Sequence, residues 1–184
     1  ISVAGPGVKN PTHLRVKTGY PVESILRSNL SSGDVRLISG DVLTGRECTL
    51  EDYMSFYDSS ISVISNEINR EFIGMLNPGS SLSRYSLTPV FVSLSNILFP
   101  FTSSQNGNHR AVVPINSWER VLPMDILPNE LYRSILAEDI EEMESLGLFE
   151  CDDEDFALCS FACPSKTDVS GVIGKGLDML QAEV

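Results

Sequence analysis

The chain opens on an apolar–polar alternation. Ile1-Ser2-Val3-Ala4 runs into Gly5-Pro6-Gly7, which predicts a strand and its stop. Asn10-Pro11 marks a turn, and His13-Leu14-Arg15-Val16-Lys17 alternates as a half-buried strand does. The period then lengthens. Pro21 suits the first position of a helix, and Val22, Ile25 and Leu26 follow at the i, i+3, i+4 spacing of one apolar stripe. Ser31-Ser32-Gly33 ends that helix, and Val35 to Ser39 returns to strand character. Strand, strand, short helix, strand is the order of a small β-grasp unit, assigned here to residues 1–47.

From residue 48 to 115 the pattern predicts further strands. Ile61-Ser62-Val63-Ile64 and Phe72-Ile73-Gly74-Met75 bracket the polar stretch Asn66 to Arg70 as a hairpin would, and Asn77-Pro78-Gly79 is another turn signal. Thr88 to Phe99 fits either a helix or a buried strand. Ser103 to Arg110 reads as a polar loop and Ala111-Val112-Val113 as a brief strand.

Beyond Asn116 the spacing turns helical. Leu127, Leu131 and Ile135 fall on one face, with Pro128 near that helix's start. Ile140, Met143 and Leu146 form a second stripe stopped by Gly147. Phe156, Leu158 and Phe161-Ala162 form a third, and a last helix starts near Asp168 or Ser170 with Val172, Ile173, Leu177 and Leu180 inward. Gly171, Gly174 and Gly176 weaken its first turns. The fold class is therefore α+β: the β-grasp domain, a β-rich middle segment 48–115, and a helical domain 116–184.

Charge sharpens this division. Residues 1–47 carry six basic and four acidic side chains, residues 48–115 three and five, and residues 116–184 four and sixteen. The whole formal charge of −12 thus equals that of the last part. Such a chain repels phosphate backbones, which argues against nucleic acid as a partner. No apolar run approaches the roughly 20 residues a membrane span needs. Four cysteines in 184 residues are too few for a disulfide scaffold and favour a reducing, intracellular setting. A start at Ile1 without Met or leader suggests a piece of a longer polypeptide.

Several motifs resemble chemistry and fail on inspection. Gly5-Pro6-Gly7 begins like a dinucleotide fingerprint, but Asn10 holds the third glycine position and Pro11 breaks the helix that would bind pyrophosphate. Gly171-x-x-Gly174-Lys175-Gly176 lacks the Ser/Thr of a P-loop. His13 and His109, the two histidines, read as surface or turn residues. Glu138 to Asp155 holds ten carboxylates in eighteen residues, yet a calcium loop starting at Asp152 would have Ala157 where glycine belongs and Cys163 where glutamate belongs. The run reads as a solvated helix face and loop, with a docking surface for a basic partner as the alternative.

Cys159-Ser-Phe-Ala-Cys163-Pro164 is more specific. It overlays the second half of the bacterial ferredoxin run C-x2-C-x2-C-x3-C-P, but Asp153 and Phe156 then occupy the first two ligand positions, and Phe cannot bind iron. The alternative is a pair of small buried residues on a short helix. No catalytic or metal-binding residue is assigned, and no cofactor-binding position is identified.

Val8-Lys9-Asn10-Pro11 with Arg15-Val16, Leu37-Ile38-Ser39-Gly40, Arg120-Val121-Leu122-Pro123-Met124-Asp125-Ile126-Leu127-Pro128, and Asp153 to Cys159 followed by Cys163-Pro164 together strongly resemble the A subunit of sodium-translocating NADH:quinone reductases, in its C-terminal part. The Gly-Val-Lys-Asn-Pro stretch is shared with the C subunit of the Rnf electron-transport complex. The resemblance implies a soluble-ligand-binding (SLBB) β-grasp domain over residues 1 to about 47. It also implies C-terminal helices descended from a cluster-bearing domain that no longer carries electrons. It further implies a peripheral component on the cytoplasmic face of the bacterial inner membrane, partnered chiefly by the membrane subunits. Its role would be assembly and docking, with ubiquinone as the candidate ligand. NADH, FAD, FMN, riboflavin and the 2Fe-2S centre belong, by family, to other subunits, so no cofactor is expected in this chain. Two alternatives remain: a stand-alone β-grasp ligand-binding module, and an iron–sulfur carrier like the Rnf complex's C subunit.

Overall fold

A computed structural model describes residues 1–66, 99, 101–105 and 107–183. The chain divides into two compact units, Ile1–Ser104 and Gln105–Val184.

The first unit is built on a five-stranded sheet of order β2-β1-β5-β3-β4, where β1 is Ser2–Ala4, β2 Thr12–His13, β3 Val35–Ser39, β4 Arg46–Cys48 and β5 Ser60–Ser65. β5 lies between β1, to which it is parallel, and β3, to which it is antiparallel. A strand from beyond residue 47 is therefore central to the sheet. Helix α1, Val22–Leu26, buries Val22, Ile25 and Leu26 as the stripe predicts. They join Val3, Leu37, Met54, Ile61 and Val63 in one apolar core.

The glycine turn after β1 is required by packing. Gly5 has φ +118°, and a Cβ on it would lie 2.1 Å from the Val63 carbonyl oxygen. The Gly7 N–H donates to that same oxygen at 3.0 Å.

Two expectations need correction here. Pro21 stands just outside α1 in extended conformation, because its backbone bridges to Tyr53. The strand predicted over 13–17 pairs only at Thr12–His13, with Leu14 donating to the Ile1 carbonyl at 2.8 Å. In the register Ser2↔His13, residues 15–17 run past Ile1 and meet no partner among the described residues. Exposure still alternates from Thr12 to Lys17, as the sequence pattern does. The expected elements Phe72–Met75 and Thr88–Phe99 and the turn at Asn77-Pro78-Gly79 lie, apart from Phe99, outside the described residues.

The second unit is helical: α2 Pro128–Ala137, α3 Ile140–Ser145, 3-10 turns at Leu148–Glu150 and Asp153–Phe156, α4 Ala157–Ala162 and α5 Val169–Glu183. Its core holds Trp118, Leu122, Leu131, Ile135, Met143, Leu148, Phe156, Cys159, Cys163, Val169, Ile173 and Leu180. Glu138 at φ +56° ends α2, and Gly147 at φ +86° follows α3.

Three expectations fail in detail. Ala111–Val113 is not a strand; this extended stretch is held by Ser165, which donates through Oγ to the Ala111 carbonyl at 2.8 Å and accepts from the Arg110 N–H at 3.0 Å. Leu127 precedes α2 and is exposed; its carbonyl accepts the Leu131 N–H, so the buried stripe begins at Leu131. Leu158 and Phe161 are exposed, because α4 is a six-residue helix whose inner face is filled by Ala157, Cys159 and Ala162.

Gly176 serves packing rather than flexibility. A Cβ there would meet Ile135 at 2.8 Å and Leu148 at 3.0 Å, so the missing side chain lets α5 lie against its neighbours.

Candidate functional site

The one sequence constellation that the fold gathers is the cysteine pair. Cys159 lies inside α4 and Cys163 caps its C-terminal end, and both thiols are buried and free. Their roof is Trp118, itself buried and edge-on to Tyr132 with ring centroids 5.3 Å apart.

The two sulfurs sit in opposite electrostatic environments. Burial, together with the Glu119 carboxylate and Cys163, pushes the Cys159 thiol up to about 11. Burial also acts to raise Cys163, but donors from Thr167 (backbone and side chain), the Ser165 N–H and the Trp118 indole outweigh it and hold that thiol below its ordinary value. The buried Trp118 Nε1 atom makes no hydrogen bond of ordinary geometry, so it acts on Cys163 as a nearby N–H dipole. Burial raises Cys151 to about 11, with Asp155 and Glu150 adding to the effect.

Phe156 and Asp153, at the two remaining ferredoxin positions, part company. Phe156 is a core residue beside Cys159 and Cys163. Asp153 is exposed at the start of its 3-10 turn, and burial of its carboxyl and its neighbour Asp152 raise its pKa. A thiolate set at this spacing would need a core phenylalanine replaced by a ligand.

Three of the ten carboxylates in the acidic run are taken up by local capping. Asp139 accepts the Glu142 N–H at 3.1 Å and caps α3. Asp152 and Asp155 form a capping box around the 3-10 turn, with Asp152 N–H donating to Asp155 at 2.9 Å and Asp153 N–H donating to Asp152 at 2.8 Å. The remaining acids of the run line exposed surface. Among the described residues no group of three or more His, Cys, Asp or Glu side chains is arranged to hold a metal ion.

Gly171 belongs to a cap as well. Its N–H donates to Asp168 at 3.1 Å, and a Cβ there would lie 2.4 Å from that carboxylate. His109 lies in an exposed loop of the second unit. His13 lies on β2, beside an open depression of about 520 Å3 that Ile1, Leu14, Arg15 and Ser59 also line.

Sequence reasoning missed Ser160. Its hydroxyl, projecting from α4, accepts the N–H groups of Val169 and Ser170 at 3.0 and 3.1 Å, and so caps the N-terminus of α5 from another helix. A signal for this would have been a serine nine residues ahead of a helix start, which no local capping rule recognises. Asn129 is also missed: buried at the start of α2, it donates through Nδ2 to the Glu119 carboxylate.

Fold and site together define a mixed α/β chain, a sheet unit followed by an acidic helical unit whose cysteines are packed inward as core. Comparison shows what the chain is similar to. The family described as "NQRA C-terminal domain" matches residues 1–49. Over 185 residues and all of this chain, the identity is 40% to the A subunit of the Na(+)-translocating NADH-quinone reductase of Mannheimia succiniciproducens and 41% to that of Haemophilus influenzae. The corresponding protein of Hahella chejuensis is 40% identical over 186 residues. Along its whole length the chain is thus similar to the C-terminal part of A subunits of the Na(+)-translocating NADH-quinone reductases. It spans about 41% of the length of these relatives. No described helix is long and apolar enough to cross a membrane.

Proposed function

We propose that the chain serves as the C-terminal part of the A subunit in a respiratory NADH:quinone oxidoreductase that pumps sodium, as an assembly and docking piece rather than a carrier of electrons. The observation that carries this is the match to that family along the whole chain, taken with Phe156 in the core at a position where a cluster would need a thiolate. The helical unit is stabilised by apolar packing, and its acidic surface orients a partner by charge. In this reading the partners are the membrane subunits, the location is the cytoplasmic face of the inner membrane, and NADH, flavins and the 2Fe-2S centre lie in those other subunits.

The sheet unit is assigned a β-grasp, soluble-ligand-binding character, supported by the family match over residues 1–49. Because β5 is central to the sheet, the working boundary of that domain extends from residue 47 to Ser65, with the acidic helical domain kept at 116–184. Ubiquinone is its candidate ligand.

The test is co-purification from membranes with the chain as bait. Recovery of flavin-bearing membrane subunits supports the reading; recovery of the chain alone defeats it. Stoichiometric iron and acid-labile sulfide in anaerobically prepared chain would establish the electron-carrier alternative instead.

A further inference from the structure

In the sheet unit, three aromatic side chains stand in solvent on an anchored segment. Tyr53, Phe56 and Tyr57 are 66%, 75% and 90% exposed, and the last two meet edge-to-face at 5.0 Å. This is not a loose loop. Met54, between them, is buried in the core and donates its N–H to the Tyr20 carbonyl at 3.0 Å. The Val22 N–H donates to the Asp52 carbonyl at 3.0 Å, and Tyr53 bridges Pro21. On the far side Asp58 accepts the Ser39 hydroxyl at 2.5 Å, and the Gly40 N–H donates to the Ser60 carbonyl at 2.8 Å. The aromatics are thus pre-organised, which lowers the entropic cost of using them in a contact.

Their rim is acidic. From residue 41 to 58 the chain carries five carboxylates and one base, Arg46. Glu47 is paired with Arg36. Asp52 adjoins Tyr53 and Asp58 adjoins Tyr57. A Cβ on Gly40, the neighbour of Asp41, would come within 3.9 Å of Asp58. Hydrogen bonds from Thr44 hold Asp41 below the ordinary carboxylate range against the opposing effect of its burial, and the Thr49 N–H and hydroxyl do the same for Asp52. Asp41 and Asp52 are therefore negative at neutral pH.

We infer that Tyr53, Phe56 and Tyr57, with Asp52 and Asp58 next to them in the chain and Asp41 following Gly40 near Asp58, form a docking face for a protein segment carrying Lys or Arg beside apolar side chains. Aromatic anchors of this type dominate interface energetics, and a cation over Phe56 or Tyr57 adds to them. The carboxylate rim repels an anionic lipid surface and a phosphate backbone, which leaves a basic polypeptide as the occupant. The inference rests on the docking reading above and gives that role a surface.

The experiment replaces Tyr57 with p-benzoylphenylalanine in the full chain, expressed with the membrane complex, and identifies the photo-adduct by mass spectrometry. The proposal expects an adduct to a segment of another polypeptide with net positive charge. Its yield should fall by roughly fivefold or more in Asp41→Asn/Asp52→Asn/Asp58→Asn, which keeps an acceptor oxygen at each site, and fall again as salt rises. Unaltered thermal melting of the triple variant separates loss of the face from loss of the fold. An adduct to phospholipid, to residues 67–98 or 105–184 of the same chain, or to an acidic segment overturns the proposal. So does an absent adduct, or a yield indifferent to the triple variant. Co-purification of membrane subunits without such an adduct leaves the docking role standing and removes this face from it; failure of co-purification removes the role itself.

Discussion

Phe156→Ala tests the idea that apolar packing holds the helical unit together. Phe156 is fully buried and packed in a core with Trp118, Leu131 and both cysteines. A buried phenylalanine removes about 150–250 Å2 from water. Truncation to Ala costs about 3–5 kcal/mol, the transfer loss plus a cavity whose walls cannot fully collapse. Asp153→Ala, at the other non-cysteine position, removes an exposed side chain and should cost under about 1 kcal/mol. The unit Gln105–Val184 should have a stability of about 4–12 kcal/mol, at 0.05–0.15 kcal/mol per residue, so the first change consumes much of it. The chain has one tryptophan, Trp118, and it lies in this same core, so its emission in a urea titration reports this unit alone. A Phe156→Ala midpoint that implies a loss below about 1 kcal/mol, or one no larger than that of Asp153→Ala, would refute the reasoning.

Other outcomes follow from single contacts. Gly5→Ala forces a side chain into a positive-φ position against the Val63 carbonyl and endangers the Gly7 bond to it, so the sheet unit should lose about 3 kcal/mol or more by urea-monitored circular dichroism. Ser160→Ala leaves two N–H groups of α5 without their cap and should cost about 1–2 kcal/mol in the Trp118-monitored titration, while Ser160→Thr should recover part of it. Stability of the helical unit should also depend on pH. Cys151 and Cys159 keep their protons in the folded state up to about 11, whereas the unfolded chain releases them near 9, so stability is lost as pH rises from about 9 to 11. Tyr132, raised chiefly by burial, acts in the same direction above 10. Cys163, held low, opposes this only below about 9, where its thiolate forms first in the folded state. Urea midpoints that keep rising beyond pH 9 would contradict the assignment.

The local elements were legible because each depends on neighbours in sequence. Val35–Ser39, the core of β5 and the stripes of α1, α3 and α5 follow from period-two and period-3.6 spacing, which each element must satisfy to bury one face. The failure of the ferredoxin pattern was legible too, since Phe lacks a donor atom in any fold. Other features depend on residues far apart in the chain. The placement of β5 between a parallel and an antiparallel neighbour, and the halting of β2 after two pairs, are set by register rather than by side-chain type. Ser160 caps a helix other than its own, and Gly176 is small because Ile135 and Leu148 press on it. The division of the two thiols, one raised and one lowered, has the same origin. Composition makes Cys159 and Cys163 equivalent, and only Trp118, forty-one residues before Cys159, and the turn at Ser165–Thr167 tell them apart. Sequence alone thus determined which segments must hide a face from water. Tertiary structure decided what each face met, because burial, donor geometry and charge act through space and not along the chain.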